Sequence, residues 1–224
     1  MTNERPGLFE TIYTTRALRR FKPDPIPDEV LFQLFDAAIR ASSGQNKQDW
    51  RWIVVTDPAV KGKLQDWAVE SWRRYQPQYQ APDSMDELPR TKRLSLRSVY
   101  DLAHNLGSVP AIIVVLGLKG AHSTPGGSTF PAVQNLTLAA RALGLGSSIF
   151  NLPLSHRDEL HEMLKIPENN LIYCLLPIGY PVDRQGPVRR KPVRDVVFME
   201  RFGEPWHFAA DQPQTGWQDR WLRD

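Results

Sequence analysis

Residues 130–143 of the chain read FPAVQNLTLAARAL and form the clearest helical pattern in the sequence. The apolar positions of this segment are Val133, Leu136, Leu138, Ala139, Ala142 and Leu143. A helix that is apolar on nearly every side belongs in the middle of a core or at a subunit interface. Gly144 follows directly, and glycine is the residue that most often ends a helix. The segment is therefore predicted to be a central helix on which other elements pack.

Apolar segments of strand type lie on both sides of this helix in the sequence. Strands are predicted at residues 50–55, 111–116 and 171–178, with a short extended piece at 147–150. Helices are predicted at residues 8–14, 28–41 with Asp28 as N-cap, 58–72, 96–106, and 155–164 with Ser155 as N-cap. The chain contains no repeat and no linker, so it is predicted to be one domain over residues 1–224. Strands separated by helices indicate an α+β or α/β domain with a buried sheet.

The composition is that of an ordinary globular protein. Hydrophobic residues make up 41% of the 224 residues and charged residues 24%, with a net charge of +3. The basic residues are scattered, which argues against nucleic-acid binding. The longest apolar run, residues 109–118, is too short to span a bilayer, and residues 1–6 lack the apolar core of a signal peptide. Cys174, the single cysteine, lies in an apolar run and fits a reducing compartment, so we expect a buried thiol and a cytoplasmic protein.

Residues 14–22 read TTRALRRFK and contain three arginines and a lysine within seven residues. The planar guanidinium group pairs with two oxygens at once, which suits phosphate and carboxylate groups. Arg16 and Arg19 stand three apart, so on a helical turn both would point the same way. A short basic run is more often a solvated surface, and this alternative stays open on the residues alone.

Four stretches of the chain together carry a family resemblance. They are residues 15–27 (TRALRRFKPDPIP), 41–55 (ASSGQNKQDWRWIVV), 134–148 (QNLTLAARALGLGSS) and 177–192 (PIGYPVDRQGPVRRKP). In this order and spacing they resemble the nitroreductase family of FMN-dependent oxidoreductases. The resemblance implies an α+β fold with a central mixed sheet flanked by helices. It also implies an intertwined homodimer, with the FMN sites at the subunit interface and built from both chains.

The resemblance also implies a set of cofactor-binding residues: Arg16, Ala17, Leu18, Arg19, Ser42, Ser43, Gly44, Asn46, Ile149, Phe150, Asn151 and Arg190. Arg16 and Arg190 would hold the FMN phosphate, and Arg19 would reach the pyrimidine edge of the flavin ring. Ser43, Gly44 and Asn46 would come from the partner subunit. The backbone N–H of Asn151 would donate to flavin N5. The alternatives are surface arginines, a second phosphate contact for Arg19, a simple helix-ending turn at residues 42–46, and a plain core aromatic at Phe150.

No residue is expected to act as a nucleophile, a general base or a metal ligand, since the five histidines are scattered. In the resembling family, hydride passes from NADH or NADPH to FMN and then to a nitroaromatic, a quinone or a similar acceptor, in ping-pong fashion. One alternative is a specialised branch that performs reductive dehalogenation or flavin breakdown. Another is a non-catalytic FMN-storage protein, because Ala17, Gln45 and Asp49 depart from the usual family residues.

Two further segments are informative. Residues 76–93 are polar, rich in proline and without clear periodicity, which indicates a loop or lid beside a binding site, or disorder. Residues 200–224 carry three of the seven tryptophans, at positions 206, 217 and 221. So much aromatic surface is expected to be packed. The resemblance implies that this extension wraps around the partner subunit, and docking on its own subunit is the alternative.

Overall fold

A four-stranded sheet lies at the centre of the computed structural model, which describes residues 5–120 and 124–212. The strands are β1 (Trp50–Val55), β2 (Ala111–Leu118), β3 (Gly146–Ser147) and β4 (Asn170–Gly179). Their order across the sheet is β1-β2-β4-β3, and each neighbouring pair is antiparallel. Among the described residues, parallel pairing is limited to the bridge between Ala17 and Ser147. The predicted central sheet is thus present, with antiparallel pairing throughout its strands.

Seven α-helices surround this sheet in the described part of the chain. They are α1 (Leu8–Thr14), α2 (Asp28–Ala38), α3 (Pro58–Tyr75), α4 (Arg90–Asn105), α5 (Thr129–Ala142), α6 (Arg157–Met163) and α7 (His207–Ala210). Short 3₁₀ helices lie at Gly44–Asn46, Pro82–Met85, Leu106–Ser108, Leu152–His156 and Val193–Asp195. No helix in these described ranges is long and apolar enough to cross a membrane.

Both faces of the sheet are covered, which explains why β2 is apolar throughout. Ile112, Val114 and Leu116 point to one face and pack with side chains of α3, α4 and α6. Ile113 and Val115 point to the other face and pack with α2 and α5. The alternation follows from the two-residue period of a strand. The domain is therefore an α+β sandwich of helices, sheet and helices, as predicted.

The central helix predicted at residues 130–143 is α5, and its apolar side chains lie in the core cluster of α2, β2 and β4. Gly144 adopts a φ of +80°, the left-handed conformation that ends a helix. Cys174 is fully buried, and burial raises the pKa of its thiol to about 12, since an apolar surrounding disfavours the thiolate.

Several predicted boundaries differ from the structure. α2 ends at Ala38 rather than near residue 41, and its N-cap is Pro27, with Asp28 already helical. Ser155 does not cap α6, because its hydroxyl contacts the Ser71 hydroxyl and the Leu152 carbonyl within a 3₁₀ turn. The residues predicted as a loop at 76–93 are loop only in part. They contain the fully buried Met85 and the first turn of α4.

Candidate functional site

The arginine-rich segment leaves α1 at Thr14 and continues in extended conformation, with φ −69° and ψ 122° at Thr15. Leu18 donates its N–H to the carbonyl of Ser147 at 3.1 Å, and Lys22 donates to Tyr180 at 2.8 Å. The segment is thereby fixed along the edge of the sheet. The interpretation that places Arg16 and Arg19 on one side of a helical turn is wrong, because backbone pairing with β3 holds these residues extended.

Arg19 lies in the wall of a cavity of about 440 Å³. The lining residues are Arg19, Tyr75, Val99, Ile149, Phe150, Asn151, Leu152, Leu154 and Ser155. The structure therefore brings together four predicted site residues, Arg19 and residues 149–151, that are far apart in the sequence. Ala17 and Leu18, which precede Arg19, pair with Ser147 of β3, and the Leu18 side chain is buried.

The guanidinium group of Arg19 is partly satisfied by the protein. One of its terminal nitrogens donates to Ser98 Oγ at 3.1 Å. Its Nε is buried and has no hydrogen-bond partner within residues 5–120 and 124–212. Burial lowers the pKa of Arg19 from its usual value, because removing water disfavours the charged form. An arginine nevertheless stays protonated, so the cavity wall carries a positive charge with a donor to spare.

Residues 149–151 also line this cavity. The Phe150 N–H donates to the Leu175 carbonyl at 2.9 Å, and the side-chain carbonyl of Asn151 accepts from the Leu175 N–H at 3.3 Å. These bonds attach the segment to β4. In the described part of the chain, the backbone N–H of Asn151 makes no hydrogen bond. Phe150 is buried and packs in the core, whereas the Ile149 side chain is 47% exposed.

Arg16 and Arg190 lie in segments that run side by side. The Val188 N–H donates to the Tyr13 carbonyl at 3.2 Å, which places the chain near Arg190 beside the end of α1. Both arginines are exposed, and Arg190 bonds only the carbonyl of Arg189 within the described residues. Neither forms an ion pair in that part of the chain. Two arginine side chains without carboxylate partners are thus available at one edge of the domain.

The remaining predicted residues, Ser42, Ser43, Gly44 and Asn46, occupy the turn between α2 and β1. Gly44 donates its N–H to Ser128 Oγ at 3.1 Å, at the N-terminal end of α5. Leu18 instead pairs with Ser147, beyond the C-terminal end of α5. A helix of 14 residues is about 21 Å long at 1.5 Å per residue. One chain therefore holds the two groups at opposite ends of α5 and does not bring them together.

The turn itself is unusual in its backbone. Gln45 and Asn46 both have a φ of 55°, and Gln48 has a φ of 52°. Left-handed conformations cost energy in residues other than glycine and often occur at functional sites. The backbone N–H of Gln48 donates to Ser43 Oγ at 3.1 Å, and the side-chain amide of Gln48 donates to Asn46 Oδ1 at 3.1 Å. The turn at residues 43–48 is thus ordered by its own side chains.

Sequence reasoning missed the cavity residues that α3 and α4 contribute. Ser98, which accepts from Arg19, is 79 positions away from it in the chain. Tyr75 and Val99 belong to helices whose patterns indicate only packing. The one available signal is the polar segment at residues 76–93 between these helices, which was predicted to border a binding site.

A family model described as the nitroreductase family matches residues 12–180 of the chain. The chain is 28% identical over 190 residues to an NADH dehydrogenase of Thermus thermophilus, covering 81% of this chain and 90% of that protein. It is 27% identical over 190 residues to an iodotyrosine deiodinase of Thermotoga neapolitana, covering 85% and 95%.

The structure is similar to the crystal structure of an oxidized iodotyrosine deiodinase bound to FMN and 3-iodo-L-tyrosine. The TM-score is 0.70 at 26% identity, and the match covers 88% of this chain and 100% of that chain. These matches confirm the resemblance carried by the four motifs and the α+β fold that it implies.

Proposed function

Because the chain belongs to the nitroreductase family, we propose that it is an FMN-dependent oxidoreductase, in which NADH or NADPH is the electron donor. The acceptor is a nitroaromatic, a quinone or a similar electron-poor molecule. The observation that carries the proposal is the cavity that Arg19 shares with residues 149–151. Arg19 belongs to the first of the four family motifs and residues 149–151 directly follow the third, and they meet at a site with spare hydrogen-bond donors.

The donors at this cavity fit a flavin. The pyrimidine edge of the isoalloxazine ring offers carbonyl oxygens and a ring nitrogen, all of them acceptors. Arg19 Nε and the Asn151 N–H are donors that lack acceptors within the described residues. A buried donor left without a partner costs about 1–3 kcal/mol, so a ligand that supplies an acceptor is stabilised. Among the described residues that line the cavity, only Arg19 carries a charge at neutral pH.

Arg19 would set the electrostatics of the site, since a fixed cation next to the ring favours the added negative charge of its reduced form. Arg16 and Arg190 would hold the phosphate, whose charge of about −2 suits guanidinium groups. When bound, FMN supplies the two-electron redox chemistry of the reaction. The chain's own residues would bind and orient the reactants and exclude water from the site. No nucleophile or general base is predicted, which agrees with this role.

The acceptor and the donor would use the same open cavity in turn, which gives ping-pong kinetics. For a nitroaromatic, the overall reaction is ArNO₂ + NAD(P)H + H⁺ → ArNO + NAD(P)⁺ + H₂O. The nicotinamide loses two electrons and the nitro group gains them, with one oxygen leaving as water. The cytoplasmic location expected from the free, fully buried Cys174 belongs to the same proposal.

A homodimer is part of the proposal, because the turn at Ser42–Asn46 and Arg19 lie at opposite ends of α5 in one chain. A second chain related by a twofold axis could bring its own turn to this cavity. Large apolar side chains on α1 and α2 support such an interface, since Leu8, Phe9 and Phe32 are 67%, 61% and 72% exposed. Contiguous exposed apolar patches often mark interaction sites, and these three side chains are candidates for one.

The C-terminal extension is proposed to exchange between the two chains. Phe202 is 93% exposed and Phe208 is 63% exposed, so residues 5–120 and 124–212 leave these rings uncovered. Phe198 and Phe202 contact each other with ring centroids 4.7 Å apart, and Trp206 contacts Phe208 at 5.7 Å. This aromatic surface supports docking on the partner. Trp217 and Trp221, on which the prediction also relied, lie outside the described residues.

The test of this function is a cofactor and turnover assay on the purified chain. We expect a yellow protein that retains one FMN per chain after free flavin is removed, and that oxidises NADH or NADPH when a nitroaromatic or quinone is present. A chain that takes up no FMN would refute the proposal. Bound FMN without oxidation of either nicotinamide, over several acceptors, would instead support the flavin-storage alternative.

Reductive dehalogenation is the second candidate, because two of the matches reported above are iodotyrosine deiodinases. The reaction would be ArI + NAD(P)H → ArH + NAD(P)⁺ + I⁻, with two electrons passing to the aryl–iodine bond. Anaerobic turnover with an iodinated phenol and a nitroaromatic in parallel separates the two functions. Release of iodide at a rate above that of nitro reduction would favour dehalogenation.

A further inference from the structure

The segment that follows α5 pairs with β4 beyond the end of β3. Within the sheet, β3 and β4 are antiparallel in the register Ser147↔Ile178. The same register continues three residues further along the chain, because the Phe150 N–H donates to the Leu175 carbonyl at 2.9 Å. Phe150 therefore lies opposite Leu175, in a pair that normally exchanges two backbone hydrogen bonds.

The second hydrogen bond of this pair is made by a side chain instead. The Leu175 N–H donates to Asn151 Oδ1 at 3.3 Å, and the Phe150 carbonyl accepts no hydrogen bond within residues 5–120 and 124–212. Leu175 is fully buried, so its N–H needs an acceptor inside the protein. The Asn151 carboxamide thus takes the place of the Phe150 carbonyl in the pairing with β4.

The peptide group between Phe150 and Asn151 is consequently left out of the sheet. Its carbonyl and its N–H both lack hydrogen-bond partners in the described part of the chain, and both residues line the cavity. The backbone turns away from β4 at Asn151, where φ is −111° and ψ is 6°, and a 3₁₀ helix follows at Leu152–His156. The direction of the free N–H is therefore set by the groups that hold the backbone on either side of it.

Ser71 holds the backbone on the far side of this peptide group. Its hydroxyl donates to the Leu152 carbonyl at 2.7 Å. Ser71 belongs to α3 and is 1% exposed, and a hydrogen bond is electrostatically stronger in such a buried place than in water. The backbone is thus attached to β4 through Phe150 and Asn151, and to α3 through Leu152.

We propose that the Asn151 carboxamide is a positioning group. By accepting from Leu175 it keeps the 150–151 peptide out of the sheet, and together with Ser71 it directs the Asn151 N–H into the cavity, toward an acceptor atom of the flavin ring. This inference rests on the proposed function, since it names the side chains that orient a donor of that same site.

Amide hydrogen exchange, resolved by residue with NMR, tests the arrangement in the protein itself. Asn151→Leu removes the acceptor and keeps a side chain of similar size. We expect the Leu175 N–H to exchange at least about tenfold faster in this variant than in the wild type. Asn151→Asp keeps an oxygen in the same place and should retain the wild-type protection. Unchanged protection of Leu175 in Asn151→Leu would overturn the proposal.

The rate of flavin reduction tests what the positioning does. The FMN-loaded enzyme is mixed anaerobically with the nicotinamide that reduces it faster. At saturating nicotinamide, Asn151→Leu should lower the rate constant by about 10- to 100-fold, because a misdirected donor no longer meets the ring. The Kd of the nicotinamide should stay within about threefold, since its own contacts are intact. Asn151→Asp should recover part of the rate, because its added negative charge opposes reduction of the flavin.

Gln65→Leu is the matched control. Gln65 Oε1 accepts from the Gly107 N–H at 2.9 Å, which is the same kind of bond, and neither residue lines the cavity. We expect this variant to lower the melting temperature by about as much as Asn151→Leu, because each leaves one backbone N–H without its acceptor. Its rate constant for flavin reduction should stay within about twofold of the wild type. Equal losses of rate in the two variants would indicate a general structural effect and contradict the proposal.

Two further arms keep the possible failures apart. If Asn151→Leu does not fold, Ser71→Ala replaces it, and the rate constant should fall by about 3- to 10-fold because one of the anchors is lost. A wild-type rate in Ser71→Ala would then count against the proposal. If the chain takes up no FMN, the proposed function fails, and exchange at Leu175 in the full chain still decides whether the Asn151 carboxamide holds this backbone.

Discussion

Arg19 belongs to a family motif and lines the cavity. Its Nε is buried and has no hydrogen-bond partner among the described residues. We expect Arg19→Ala to lower the reduction potential of bound FMN by about 30 mV or more, which is about 1.4 kcal/mol for two electrons. The reason is the loss of a cation that stabilises the reduced flavin.

Potentiometric titration of the holoprotein measures this shift directly. Arg19→Lys is the matched variant, because it keeps the charge, and its potential should fall between those of Arg19→Ala and the wild type. We also expect Arg19→Ala to change the free energy of FMN binding by less than the free energy that corresponds to the shift in potential. An unaltered potential in Arg19→Ala would remove Arg19 from the flavin ring.

Arg16 is expected to act on binding rather than on potential. Arg16→Ala should weaken FMN binding by about 1.5–3 kcal/mol, the usual range for a hydrogen bond to a charged group. The change corresponds to about 10- to 150-fold in Kd at about 1.4 kcal/mol per tenfold. Fluorescence titration of the apoprotein with FMN measures it. Arg157→Ala, which removes an exposed arginine from α6, should bind FMN as tightly as the wild type.

At the scale of residues, the sequence predicts some parts of the site and misses others. Arg19 and residues 149–151 are predicted by the family motifs, and the structure places them in one cavity. The arginine segment is extended rather than helical, because its conformation is set by pairing with β3. Ser98 and Tyr75 are missed, since contacts between distant segments leave no local pattern to read.

Among the secondary-structure elements, the contact between the arginine segment and β3 decides where the arginines point. A Cβ on Gly146 would lie 3.0 Å from Leu18 Cδ1 and 3.1 Å from Leu18 Cβ. We expect Gly146→Ala to shift Leu18 and its segment by a few tenths of an ångström, to lower the free energy of unfolding by about 1–3 kcal/mol and to weaken FMN binding.

Gly144→Ala is the comparison for this prediction. Gly144 has a φ of +80° and no atom within 4 Å of an added Cβ, so the substitution strains the backbone without touching Leu18. It should cost about 1–2 kcal/mol of stability and leave the FMN affinity of the folded protein unchanged. Urea unfolding of both apoproteins and FMN titration separate the two effects. Equal FMN affinities in the two variants would contradict the role given to the strand contact.

The elements themselves were predicted unevenly. β1 begins and ends at the predicted residues, and β2 and β4 lie within two residues of theirs, because fully buried strands are continuous apolar runs. α4 begins six residues earlier than predicted, since its first turns carry mostly polar side chains and lack an apolar stripe. In the structure Arg93, within these first turns, donates to the Asp86 carbonyl at 2.8 Å, which attaches this part of α4 to the preceding segment.

For the whole molecule, the order of the strands could not be predicted from the residues alone. Antiparallel pairing of β1 with β2 and of β2 with β4 depends on contacts between segments more than 50 positions apart. The family resemblance nevertheless predicted the α+β fold class, because four motifs in a fixed order constrain the fold more than any one segment does. The dimer remains a prediction, supported by exposed apolar side chains on α1 and α2.

The central claim is that the flavin site is built from two chains, with Arg16 and Arg19 from one and the turn at Gly44 from the other. This claim follows from the separation of the two groups along α5. The double variant Arg16→Ala/Arg19→Ala and the variant Gly44→Leu should each lose FMN as homodimers. In a heterodimer of the two variants, one site combines both defects and the other combines both intact surfaces.

The most direct measurement is therefore the FMN content and turnover of that heterodimer, purified by two different affinity tags after co-expression. We expect the heterodimer to have about half of the wild-type FMN content and activity, because one of its two sites is intact. A heterodimer without FMN, a chain that purifies only as a monomer, or a Gly44→Leu homodimer that binds FMN normally would contradict it.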